Sequence, residues 1–141
     1  MENNTPRWLY RFDNFKRAFL LLQEGMEIKR TKELSPLERE GIIQRFEYTW
    51  ELSWKTLKDY LEAEGIVFEK ITPASVLRSA LEANIINNGD MWMNALDSSN
   101  KMSHTYDIKT FESVVQDIHH HYFELFKDLY DFLNAESQKV R

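Results

Sequence analysis

The sequence of 141 residues contains no cysteine, which excludes disulfides, thiolate metal sites and cysteine nucleophiles. No apolar run approaches the roughly 20 residues needed to cross a bilayer. The first residues, Met1-Glu2-Asn3-Asn4-Thr5-Pro6, lack the apolar core of a signal peptide, so a cytoplasmic protein is expected. An excess of basic charge is also missing. The net charge of −5 argues against a general nucleic-acid binder, which carries a basic face. Residues 1–32 nevertheless hold seven basic and four acidic side chains, which leaves room for local phosphate binding. No period-two stretch, repeat or low-complexity segment interrupts the chain. One domain over 1–141 is expected, and a chain of this length buries roughly 68–70% of its unfolded surface without a staple.

What the sequence does have is helical periodicity. Trp8, Phe12, Phe15, Phe19, Leu22 and Met26 alternate by four and three, which places them on one helical stripe. Gly25 is expected to weaken the end of this helix, and residues 29–33 read as a connector. A second helix starts at Ser35-Pro36 with Glu38 completing a capping box. Its stripe is Ile43, Phe46, Trp50, Leu57 and Leu61, and Gly65 reads as a left-handed stop. Thr72-Pro73 opens a short third helix with Val76, Leu77, Ala80 and Leu81 inward, broken by Asn87-Asn88-Gly89. Trp92, Ala95, Leu96 and Met102 mark a short fourth. The last helix is capped by Asp107, with Tyr106 and Phe111 as a hydrophobic staple. Ile108, Phe111, Val115, Ile118, Tyr122, Leu125, Leu129 and Leu133 continue it, over about 42 Å to Asn134. Residues 137–141 are expected to fray. The fold class is therefore all-α, an antiparallel up-and-down bundle of three long and two short helices.

Three groups of residues carry chemical potential. His119-His120-His121 point about 100° apart on an α-helix, so they cannot converge on one ion. Asp117 with His121 supplies at most two ligands, and no metal or cofactor is expected. On the second helix Glu47, Glu51, Lys55 and Lys58 form a mixed flank beside Trp54. It reads either as a solvated surface or as a groove with lysines for phosphate. Tyr48 and Leu52 face away from the main stripe and suggest a second contact surface. The junction Asn100-Lys101-Met102-Ser103-His104-Thr105-Tyr106 sets polar and titratable groups before a helix N-terminus, which favours anions. His104 suits acid–base work near neutrality, Lys101 a phosphate, and Tyr106 a base. The competing reading is a capping loop in which these side chains only satisfy backbone groups.

Two segments, Gln44-Arg45-Phe46-Glu47-Tyr48-Thr49-Trp50-Glu51-Leu52-Ser53-Trp54-Lys55-Thr56-Leu57-Lys58 and Asn100-Lys101-Met102-Ser103-His104-Thr105-Tyr106-Asp107, resemble the nucleotidyltransferase substrate-binding branch of the HEPN superfamily. The likeness runs over nearly the whole chain and includes Arg78 and Trp92. It implies a homodimeric helical bundle and a partner, a separately encoded minimal nucleotidyltransferase that carries the metal-binding carboxylates. Many HEPN relatives are RNA-cleaving toxins in which an arginine precedes the motif histidine by a short spacer. Here His104 matches the histidine, whereas the positions open to the arginine are Asp97, Ser98 and Ser99, with Ser99 the best match. A hydroxyl supplies neither the charge nor the bidentate geometry of a guanidinium. In toxin–antitoxin members of the superfamily the partner modifies a tyrosine two residues after the histidine, which corresponds to Tyr106.

The resulting expectation is a nucleotide- or substrate-binding subunit, not self-sufficient as an enzyme, that presents a ligand to the partner's catalytic centre. Its expected binding residues are Lys55, Lys58, Asn100, Lys101, His104 and Tyr106. The alternative is a HEPN-type ribonuclease toxin, intact or degenerate, acting on RNA.

Overall fold

The computed structural model describes residues 5–104 and 107–141, and all described regular structure is helical. Helix α1 spans Arg7–Thr31, α2 Pro36–Ala63, α3 Pro73–Glu82 and α4 Gly89–Met102. The fifth, α5, runs over residues 108–140 as Ile108–Asp117, a π-helical turn Ile118–Tyr122, and Phe123–Val140. The three long and two short helices expected from periodicity are all present.

Local chemistry fixes the boundaries. At the start of α2 the Ser35 hydroxyl accepts from the Glu38 N–H at 3.1 Å, and the Glu38 carboxylate accepts from the Ser35 N–H at 2.9 Å. That bond and Lys32 pull the Glu38 carboxyl down to about 2. Thr72 and Ser75 form the same reciprocal pair before α3. Gly65, at φ +96°, ends α2. The N–H of Ile66 reaches the Leu61 carbonyl and that of Gly65 the Glu62 carbonyl, each at 3.0 Å, a Schellman closure. Asn84 and Asn88 also take positive φ, 60° and 59°, a conformation asparagine tolerates better than most residues.

Three expectations at helix ends and interiors are corrected. Gly25 does not weaken α1, which continues to Thr31. Gly25 is buried, and a Cβ there would lie 3.1 Å from Ile42 Cγ1, so its small size lets α1 and α2 approach. The C-terminus does not fray: the helix reaches Val140, Ser137 is buried, and Arg141 bonds Asp13 across to α1 at 2.7 Å. Ile108 is 60% exposed and is not part of the core stripe. The staple partner Tyr106 lies outside the described residues.

Cross-helix contacts give the topology. Gly25 meets Ile42, while Arg11 meets Asp59, so α1 and α2 are antiparallel. Trp50 faces Trp92, and Glu47 faces Ser99, so α4 also runs against α2. Arg39 meets Glu112, Phe46 meets Tyr122, and Tyr60 meets Glu136, so α5 runs alongside α2 in the same direction. The α1–α2 turn and the α4–α5 junction therefore share one end of the bundle. Phe12, Phe15, Phe46, Trp92, Phe126, Leu57, Leu77 and Ile118 are almost wholly buried in one core. Each such side chain contributes about 1.5–3 kcal/mol of hydrophobic stabilisation.

Candidate functional site

The last turn of α4 carries the motif residues, and two adjacent serines set its position. Ser98 and Ser99 are both buried. Ser98 Oγ lies 2.7 Å from the Tyr122 hydroxyl, which also donates to the Asn94 carbonyl at 3.2 Å. Ser99 donates to Glu47 Oε2 at 3.2 Å. One serine thus ties α4 to the π turn of α5, and its neighbour ties α4 to α2. Beyond them Asn100, Lys101 and His104 are exposed. The His104 N–H closes a turn on the Lys101 carbonyl at 3.1 Å. Three residues later Asp107 caps α5, accepting from the Lys109 N–H.

Glu47 is the unusual group. Its Oε1 is buried and has no hydrogen-bond partner among the described residues. Burial, opposed by the Ser99 hydrogen bond and reinforced by Glu51, pushes its carboxyl up to about 7. Burial disfavours the charged form because the interior solvates it poorly. The sequence leaves the flank bearing Glu47 open between a solvated surface and a polar groove. The burial of Glu47 comes from α4, whose Ser99 sits on it while Glu51 stays exposed, and local spacing carries no sign of it.

The structure brings Asn100, Lys101 and His104 together on one turn, but not the two lysines of α2. Lys55 pairs with Glu51 at 2.7 Å and stands 5.9 Å from the Trp54 ring centroid. Lys58 is held by Asp59 at 3.2 Å and Glu62 at 3.4 Å, with its side chain only 16% exposed. At 1.5 Å per residue they stand about 12 and 16 Å beyond Glu47 along α2. Because α4 is antiparallel, its motif turn extends the opposite way. Tyr106, the third binding expectation of the junction with Asn100 and His104, lies outside the described residues.

The histidine run sits in the π turn. His119 Nδ1 is buried without a partner among the described residues, and burial, then nearby Lys29, lowers its pKa. A π turn inserts one residue into the helical register and is frequent at functional sites. Here it swings Tyr122 onto α4 and leaves Asp117 and His121 at the edge of a cavity against α4.

The sequence model described as nucleotidyltransferase substrate binding protein like matches residues 10–135. The chain belongs to this family. It is 37% identical over 70 residues to a Haemophilus influenzae protein named "Probable ribonuclease HepT", an alignment covering 48% of each chain. The chain thus matches about half the length of that curated relative. A crystal structure of a Thermus thermophilus protein superposes with a TM-score of 0.70 at 30% identity. That match covers 82% of this chain and 94% of the other. Among the described residues no helix is long and apolar enough to cross a membrane.

Proposed function

We propose that this chain is the ligand-binding subunit of a two-component system whose nucleotidyltransferase chemistry resides on a separately encoded partner. The ligand is a nucleotide or a nucleotide-bearing acceptor such as RNA, held at the α4–α5 junction. The observation that carries this reading is the exposed turn of Asn100, Lys101 and His104, set just before the N-terminus of α5. Lys101 meets phosphate, Asn100 and His104 give hydrogen bonds, and Tyr106 stacks or accepts a modification. Lys55 and Lys58, engaged by carboxylates, steer an anion only through their field. Tyr48, 56% exposed, and half-buried Leu52 supply an apolar face for a homodimer. Family membership supports the association with a nucleotidyltransferase.

A second reading, a ribonuclease toxin, is favoured by the name of the Haemophilus relative. In it His104 takes the proton of the ribose 2′-hydroxyl as that oxygen attacks phosphorus, and the 5′-oxygen leaves. This reading needs a cation for the charge gathered on phosphorus, yet Ser99 is buried and its hydroxyl is bound to Glu47. One experiment separates the two. The purified chain, alone and with its partner, is titrated with labelled RNA and cleavage is followed in the same tubes. RNA binding weakened tenfold by His104→Ala, with no cleavage, fits the binding subunit. Cleavage abolished by the same change establishes the toxin. RNA that neither binds nor is cut refutes the toxin and an RNA ligand, and a nucleoside triphosphate that also fails to bind, with and without the partner, refutes the binding subunit.

A further inference from the structure

The cavity between α4 and the π turn of α5, on the other side of α4 from Glu47, shares Lys101 with the junction, while its other lining residues have no role in the function proposed there. Its volume is about 320 Å³, within the range of small-molecule sites. Asn94, Asp97 and Lys101 line it from α4, and Asp117 and His121 from α5. Its floor is the buried hydroxyl pair of Ser98 and Tyr122, 2.7 Å apart and already satisfied by each other and by the Asn94 carbonyl. The titratable rim is different. Asp97, Lys101, Asp117 and His121 make no side-chain hydrogen bond or ion pair among the described residues. The Asn94 amide reaches only the Met91 sulfur, at 3.9 Å. Elsewhere on this protein most charges that face a cleft between helices are paired, as Arg39 with Glu112 and Arg45 with Glu24.

An ammonium, two carboxylates and an imidazole without ion pairs, beside a carboxamide held only by a thioether, suit a ligand that presents both an anion and several donors. A lone anion would meet two like charges, and no group of three or more metal-type side chains converges among the described residues. We propose that this cavity is a ribonucleotide subsite. Lys101 receives the phosphate, Asp97 and Asp117 accept hydrogen bonds from the ribose hydroxyls, and Asn94 and His121 face the base. Carboxylates select ribose over deoxyribose because a site built to bond a hydroxyl is left unpaired by the analogue that lacks it. The π turn shapes the subsite, since it carries both Tyr122, which bonds α4, and His121 at the rim. This inference rests on the nucleotide-binding reading and names where one nucleotide sits.

The test is equilibrium titration of the full chain with adenosine 5′-monophosphate and 5′-phosphorylated oligoadenylate, each beside its 2′-deoxy counterpart. The ribose form binds at least tenfold tighter. Asp97→Asn with Asp117→Asn erases that preference, and Lys101→Ala weakens both sugar forms, with unchanged melting temperatures confirming the fold. Preference confined to the oligonucleotide identifies an RNA terminus as the ligand; preference in the mononucleotide too identifies a free nucleotide. Equal affinity for ribose and deoxyribose ligands, or a preference that survives the double change, overturns the subsite. Failure of the junction reading appears separately, as RNA affinity indifferent to His104→Ala.

Discussion

Replacing Glu47 by glutamine tests whether α4 covers a carboxyl at the expense of its charge. A carboxyl raised from 4.5 to about 7 corresponds to about 3 kcal/mol between its two protonation states if fully shielded. The Glu47 side chain keeps partial access to water, and screening reduces this to about 1–2 kcal/mol. The sign follows from linkage. The folded state holds the proton more tightly than the unfolded chain, so the neutral carboxyl's contribution is complete below pH 4.5. It is lost as pH climbs through 7. Glutamine keeps the acceptor for the Ser99 hydroxyl and has no charge to gain. Urea unfolding of the two proteins is therefore expected to coincide near pH 4.5 and to separate as pH rises. At about pH 8 the glutamine variant is more stable by about 1–2 kcal/mol, a midpoint difference of roughly 0.5–1 M. Parallel pH dependence in the two proteins would refute the burial argument.

Four further changes probe the scaffold. Tyr122→Phe strands the buried Ser98 hydroxyl and frees the Asn94 carbonyl, costing about 1–3 kcal/mol in thermal unfolding; hydrogen exchange should rise first at α4. Arg11→Ala removes the 2.9 Å partner of buried Asp59 and costs about 2–4 kcal/mol, softened because Lys58 remains. Breaking the exposed Lys127–Asp131 pair should have no measurable effect on the same unfolding curve. Trp92→Ala empties a site that is 1% exposed and costs about 3–5 kcal/mol, enough to lower the melting temperature by well over ten degrees.

What could be read from sequence was what depends on neighbours in the chain. The Ser35–Glu38 box, the Gly65 stop and the stripe from Trp8 to Met26 involve partners within a turn or two, and each stands as expected. The π turn was not legible, because Val115, Ile118, Tyr122 and Leu125 are spaced as in an uninterrupted α-helix. Its contact with α4, Tyr122 on Ser98 24 residues earlier, is made across the fold and leaves no trace in local spacing. Gly25 misled for the same reason: the compensation for its poor helix propensity is Ile42 on another helix. Of the candidate site, only the placement of its residues can be compared. Asn100, Lys101 and His104 share a turn, whereas Lys55 and Lys58 were joined to them by the resemblance of residues 44–58 and by lysine chemistry, neither of which carries distance. The antiparallel course of α4 separates the two groups.

That course also divides the bundle into unlike ends. Where α1 starts and α2 and α5 finish, polar contacts join the long helices in a closed ring. Arg11 bonds Asp59 from α1 to α2, Tyr60 bonds Glu136 from α2 to α5, and Arg141 bonds Asp13 from α5 to α1. Burial and the Glu136 hydrogen bond raise the Tyr60 phenol, so it stays a donor across the working pH range. At the other end α4 joins no such ring. Among the described residues its polar ties to the long helices are the Ser98 hydroxyl and the Asn94 carbonyl on Tyr122, and the Ser99 hydroxyl on a carboxyl that ionises near neutrality. An ionised Glu47 accepts a stronger bond from Ser99 but gains more from water than from the interior. Any motion that hydrates it must lift α4 from α2. Regions held by few polar contacts open before the rest of a fold. The motif turn and the cavity beside it are carried by a short helix with few polar ties, set against long helices joined at their far end by the ring, an arrangement that lets a ligand move the site without unfolding the bundle.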